Sequence, residues 1–396
     1  MPQSPASSRL DGTAETEGGG SDTAGLLCAG KDVYKRQPLW IADMDFAVSD
    51  PIQAALKKRM ECPAYGYTER GPIYTQVMAD WFNRRYQYGA DPEMMMMSTG
   101  VMYSVSAAIR LFSQEGDKIL IPTPAYEPFV DKTLSNRRVP TLCPMHEEDG
   151  CYTLDFEDME KKIDEQTKIF ILCNPQNPTG RVYTKTELEQ IAAFCEKHQL
   201  KIIADEIHAD FVFDGQFTPI ININDYTRQN TIACVSCTKS FNLAGLKISG
   251  VIIKNPELFH AFKAEAVNVG IASINIFALE AMKAAYQFSE DWMDQLLEYI
   301  KANRDYADEF FRTRLPMIKT RKPEGTYFFW LDMRNCGIEW EKLNQTCIEE
   351  GHVYLSEGKF FGEDYLGFER LNLASPRAQL QTGLEKLEKM ILAHQK

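Results

Sequence analysis

The run Ser236-Cys-Thr-Lys-Ser-Phe-Asn-Leu-Ala-Gly-Leu246 crowds small hydroxylated residues around one lysine, Lys239. It follows an apolar run, Thr231-Ile-Ala-Cys-Val235, that reads as a buried strand. A lysine just past the carboxyl end of a strand in an α/β protein stands where such sheets bind ligands. Its amine can form an imine with an aldehyde once its surroundings lower the ammonium pKa. A lone lysine is more often an ordinary surface residue, but two further segments give this one a chemical context. Asn174-Pro-Gln-Asn-Pro-Thr-Gly180 is an asparagine turn stiffened by prolines. Ala204-Asp-Glu-Ile-His208 sets Asp205 at the end of a second apolar run, with His208 three residues beyond.

Asparagine turn, acid after a strand, lysine after a strand, in that order, resembles the fold-type I enzymes that carry pyridoxal 5'-phosphate (PLP). That cofactor needs a lysine, an acid at its pyridine nitrogen, a phosphate cup, a donor to its phenolic oxygen, a stacking ring and a cation for the substrate carboxylate. Lys239 is the candidate for imine and proton transfer, and Asp205 for the pyridine nitrogen. Asn177 and His208 suit the phenolic oxygen. Ser98-Thr-Gly100 opens a helix, so Gly100, Val101 and Met102 can offer N–H groups to a phosphate, with Ser236 and Lys247 completing the cup. Tyr126, after Pro124 at a strand end, suits stacking on the ring and contact with substrate. Arg370, in Glu-Arg-Leu-Asn, has the fork for two-point binding of a carboxylate.

Together these residues resemble the aminotransferase class I/II family from about Pro38 onward. Trp40-Ile-Ala-Asp-Met-Asp-Phe46 is similar to the MalY/PatB type, the cystathionine β-lyase or carbon–sulfur lyase branch. The resemblance implies a homodimer in which Tyr67 reaches the partner subunit's site. It implies α,β-elimination on an amino acid with sulfur at Cβ. An aminotransferase of the same fold remains open, since no residue separates the two fates of the carbanion. A PLP-binding regulatory protein is a further alternative. Lys247 stands where many relatives have arginine, and lysine cannot make the same two-point phosphate contact.

The surrounding elements are those such a site needs. Lys168–Cys173, Lys201–Asp205 and Thr231–Val235 alternate with helical patterns, which implies a mostly parallel sheet covered on both faces. Thr184 and Glu187 form a capping box before Leu188, Ile191, Ala192 and Cys195. The expected organisation has three parts. Residues 1–37 are a Gly/Ser/Ala-rich disordered or non-native segment, 38–288 a large cofactor-binding domain, and 289–396 a smaller α+β domain. The 396 residues are ordinary in composition, 44% hydrophobic and 25% charged. A net charge of −13 argues against nucleic acid or an anionic membrane as partner. No apolar run approaches a membrane span. Ten scattered cysteines suit a reducing, cytoplasmic setting. Cys234 and Cys237 have no second pair, so no metal site is expected.

Overall fold

The computed structural model describes residues 37–68 and 71–395. Most of the expected N-terminal segment, 1–36, therefore lies outside the described residues. A seven-stranded sheet forms the larger layer, from β1 (Met95–Ser98), β2 (Lys118–Thr123), β3 (Val139–Pro144), β4 (Thr167–Cys173), β5 (Lys201–Asp205), β6 (Thr231–Val235) and β7 (Ser249–Ile252). The spatial order is β1-β7-β6-β5-β4-β2-β3. Neighbours run parallel except β7, which is antiparallel to both β1 and β6.

Alternate residues of these strands feed opposite cores. Leu120, Phe170, Leu172, Ile202, Ala204 and Val235 join one cluster; Ile119, Ile121, Ile169, Ile171, Ile203 and Ile232 join the other. That is the period of two expected of strands buried on both faces, and it explains why they read as unbroken apolar runs. Helix α1 (Ile73–Tyr86) packs into the first cluster and α2 (Val101–Phe112) into the second. Gly250 on β7 lets α1 approach: a Cβ there would meet Met78 Sδ at 2.0 Å. The capping box at Thr184 and Glu187 forms with both of its hydrogen bonds.

The short helix α3 (Cys237–Ser240) follows β6 directly, and the long helix α4 (Glu290–Arg314) leads to a second, four-stranded sheet. That sheet contains β8 (Lys319–Thr320), β9 (Phe328–Asp332), β10 (Ser356–Glu357) and β11 (Phe368–Asn372), in the order β8-β9-β11-β10. The first described residues run beside this smaller sheet: Gln37–Pro38 forms a separate two-stranded pair with Val353–Tyr354, and Asn372 N donates to Leu39 O at 2.9 Å. The chain then crosses to the larger layer as a strap, residues 40–46. Amide side chains pin it from both sides. Asn372 Nδ2 donates to Ile41 O (2.6 Å) and Asp43 O (2.8 Å); Asn242 Nδ2 donates to Met44 O (2.7 Å) and Phe46 O (2.9 Å).

Candidate active site

A cavity of about 180 Å³ opens at the carboxyl ends of β4, β5 and β6. Parallel strands end together there, so residues far apart in sequence converge. Gly100, Val101, Met102, Tyr126, Asn177, Asp205, His208, Lys239 and Lys247 all line it.

Lys239 rides on α3. Solvent reaches part of its side chain through the cavity, yet burial, followed by the nearby Arg370 cation, lowers its pKa to about 8; Asp43 and Asp205 oppose this. Its Nζ donates to Ala42 O on the strap, an oxygen that also accepts from Tyr327 OH at 3.1 Å. Asp205 ends β5 with 4% exposure. Burial raises its carboxyl to about 6, against the Ile207 N–H that donates to Oδ1 at 3.1 Å and the charge of Lys239. His208 is held neutral, first by burial and then by Lys239 and Arg370. Its Nδ1 is buried without a hydrogen-bond partner.

The asparagine turn leaves β4 through Asn174-Pro175 and Asn177-Pro178 bonds that are both cis. Gln176 Nε2 ties it to Pro124 O at 2.7 Å, next to the loop that carries Tyr126. Arg370 on β11 donates through Nη1 to Asn177 Oδ1 at 2.9 Å. Nη2 donates to Trp40 O (2.9 Å) and Ser356 Oγ (3.1 Å), while the buried Nε has no partner. An arginine accepts nothing, so Asn177 must turn its oxygen to Arg370 and its NH₂ elsewhere.

Gly100 caps α2 at φ +150° and ψ 154°, a conformation that only glycine adopts without strain. Gly100, Val101, Met102 and Tyr103, at the start of α2, line the cavity, which brings the partial positive charge of a helix start to its wall. Thr99 and Thr238 stand on the same wall.

Three expected residues are absent from the cavity wall: Arg370 is joined to it only through Asn177, and the other two lie elsewhere. Ser236 does not line the cavity: its hydroxyl donates to Ile248 O (2.7 Å) and accepts from Thr238 N (3.0 Å). Thr238, whose Oγ1 lies 2.8 Å from Ser236 Oγ, lines the cavity instead. Tyr67 is fully exposed and lines no part of it. Sequence reasoning also missed Thr99, Tyr103 and the Ala42 carbonyl. The strap motif marked Ala42's neighbourhood but not its use as an acceptor. Thr238 was visible as the hydroxyl beside Lys239, without a sign of which hydroxyl would turn inward.

Comparison with known proteins agrees with this geometry. The model of the family "Aminotransferase class I and II" matches residues 42–387. The chain is 35% identical to the cystathionine beta-lyase PatB of Bacillus subtilis over 89% of this chain and 91% of that protein. It is 33% identical to the protein MalY of Escherichia coli, over 90% and 92%. Among solved structures, a PLP-bound putative aminotransferase from Clostridium difficile superposes with a TM-score of 0.92 at 35% identity, over 96% of this chain and 99% of that one. A lysine, an acid and a helix start gathered at parallel strand ends thus come with a match along nearly the whole described chain, and this protein belongs to the aminotransferase class I and II family.

Proposed function

We propose that the chain is a PLP-dependent carbon–sulfur β-lyase of the cystathionine β-lyase type. It cleaves L-cystathionine or a related S-substituted L-cysteine to a thiol, pyruvate and ammonia by α,β-elimination. The observation that carries the cofactor reading is Lys239, an amine lowered to about 8 in the same cavity as a buried carboxylate. The choice of lyase rests on the likeness to PatB.

The residues present fit PLP. An aldehyde needs an amine that is partly neutral near pH 7, and Lys239 supplies it. A phosphate needs N–H donors and hydroxyls, which Gly100, Val101, Met102, Thr99 and Thr238 would provide, with Lys247 as the cation. Asp205 would take the pyridine nitrogen, Tyr126 the ring face, and Asn177 with His208 the phenolic oxygen. Bound there, the group supplies an electron sink for the pair left when the substrate loses its Cα proton.

The remaining chemistry belongs to the chain. Arg370 would bind the substrate carboxylate through its guanidinium N–H groups, of which Nε has no partner and Nη1 reaches Asn177. That contact fixes which substituents of Cα face Lys239. Lys239 Nζ, once free and neutral, takes the Cα proton. The Cβ–S bond then breaks with its electron pair on sulfur, and the thiolate is protonated as it leaves. The three-carbon enamine released takes up water to give pyruvate and ammonia.

The aminotransferase alternative is favoured by the name of the Clostridium difficile relative. It shares the proton removal at Lys239 but needs a keto acid to complete each cycle. The deciding assay is pyruvate release from L-cystathionine with PLP and no keto acid. Steady release supports the lyase; turnover only after adding a keto acid overturns it. Lys239→Ala lowers turnover by roughly a thousandfold or more, and normal rates in that variant would remove the lysine from the mechanism.

A homodimer with shared sites is supported by the exposed aromatic side chains Tyr65 and Tyr67, with Ile73 exposed beside them in sequence. Tyr67 would act in the partner subunit's site, and sedimentation of the holoenzyme tests the assembly. Among the described residues no helix is long and apolar enough to cross a membrane. The described cysteines are free, which suits a reducing compartment such as the cytoplasm. The division into a domain of 38–288 and one of 289–396 is supported by Ser289. It ends the helix Ile276–Phe288 and begins α4.

A further inference from the structure

Lys239 sits on a helix of a single turn. Such a helix has too few internal hydrogen bonds to hold its own direction. Its orientation must come from anchors at its two ends. At the start, Ser236 Oγ accepts from Thr238 N and donates to Ile248 O. At the end, Ser240 Oγ donates to Asp210 Oδ2. Ser240 is fully buried and adjoins Lys239 in sequence.

Asp210 is 4% exposed and belongs to no part of the cavity wall. Its Oδ1 accepts from Trp81 Nε1 at 3.1 Å and from Tyr86 OH. Arg85 Nε lies 4.0 Å from the same oxygen. That arginine continues to Glu290 Oε1 (3.1 Å) and Asp294 Oδ1 (2.9 Å) at the start of α4. A buried carboxylate with two donors on one oxygen is costly to place and hard to move. Its second oxygen is spent on the one hydroxyl that terminates the lysine's helix.

We propose that Asp210 is a positioning residue for Lys239: through Ser240 it fixes the carboxyl end of the one-turn helix, with α1 and Arg85 holding the carboxylate in turn. The inference rests on Lys239 being the lysine that bonds the cofactor. Asp210 acts by placement, since Lys239 responds electrostatically to Arg370, Asp43, Asp205 and Lys247. Releasing the anchor lets the amine wander from its productive position, and a displacement of about 1 Å is worth up to roughly a hundredfold in rate.

The test uses Ser240→Ala, Asp210→Asn and the double variant, each prepared free of cofactor. Two readouts are compared. One is the rate at which the imine band appears after adding PLP; the other is affinity for pyridoxamine 5'-phosphate, which has no aldehyde and does not bond lysine. We expect the imine rate and kcat to fall about tenfold or more, with pyridoxamine phosphate affinity and KM unchanged. The double variant should be no worse than the poorer single one. Equal losses in both readouts would mean general damage to the cavity and overturn the proposal, as would an unchanged imine rate or additive effects. If Asp210→Asn does not fold, Ser240→Ala decides alone. Borohydride trapping and peptide mapping of the wild-type holoenzyme separate the underlying reading: a label on another lysine sinks the site assignment itself.

Discussion

Arg181 and Arg370 are both buried, 7% and 5% exposed, and both lie against the asparagine turn, yet they are built for opposite purposes. Arg181 is fully answered. Nε meets Glu324 Oε2 at 3.0 Å, Nη1 meets Tyr152 O at 3.0 Å, and Nη2 meets both oxygens of Glu187 at 2.8 and 2.9 Å. Burial works against its charge, but Glu324 and Glu187 outweigh burial and push its pKa above the ordinary value. Arg370 has only neutral acceptors and one donor with none. Burial lowers its pKa to about 10, and the Phe328 and Phe361 rings, 4.0 and 5.0 Å from the guanidinium carbon, hold its plane. A buried cation given carboxylates is a fastener. One given rings and neutral oxygens keeps a charge with no counterion, which is what the proposed carboxylate contact needs.

The largest effect that separates the two is on stability. Arg181→Gln removes the buried cation that Glu187 and Glu324 share, leaving each its backbone donor, and should cost about 3 kcal/mol in urea unfolding, with KM unchanged in the folded fraction. Arg370→Gln removes a charge that has no counterion, so its melting temperature should be no lower than that of the wild type. Its KM for the amino acid should rise about tenfold to a hundredfold. Equal destabilisation by both substitutions would break the comparison.

A subtler consequence concerns pH. The reaction of cofactor-free protein with PLP should accelerate as pH rises and level off above about 8, where Lys239 has lost its proton. Because Arg370 helps hold that amine down, the midpoint should move upward in Arg370→Gln. An unmoved midpoint would mean that burial alone sets it.

The smallest effect belongs to Glu369, the neighbour of Arg370 on β11. Its carboxylate accepts from Asn344 Nδ2 at 3.1 Å on both oxygens, and burial raises its pKa to about 8 from 4.5. The folded state therefore keeps a proton that the unfolded state loses over that window, so stability falls as pH rises through it. Glu369→Gln should flatten this dependence and raise stability at pH 8. A wild type with no such slope would show the carboxylate compensated in another way.

Much of this architecture can be read from the chain. Apolar runs ending in Asp205 and before Lys239 announce parallel strands, because a sheet covered on both faces needs apolar side chains on both. The direction of β7 was not legible: a four-residue apolar strand carries no mark of parallel or antiparallel pairing. Glu-Arg-Leu-Asn singled out Arg370, but nothing in the sequence showed that Arg181 would be paired with carboxylates and Arg370 left without one. Their difference lies in residues such as Glu324 and Ser356, which only the fold brings near. Ser236 and Thr238 illustrate the same limit at short range. Two hydroxyls flank one turn, and the backbone carbonyl of Ile248, twelve residues on from Ser236, claims the first and leaves the second on the cavity wall.

The strap also bears on how the protein is made. Ala42, the acceptor for Lys239, is held by Asn372 on either side, a partner about 330 residues later in synthesis. Tyr327, which also donates to Ala42 O, emerges only shortly before it. The large sheet can assemble while the chain is still growing, since its strands are complete by Ile252. Its reactive amine cannot be seated until translation has passed β11. A ribosome-bound fragment would carry the lysine and Ala42 but neither the Asn372 and Tyr327 side chains that hold the strap nor Arg370, so the complete arrangement forms only at the end of synthesis.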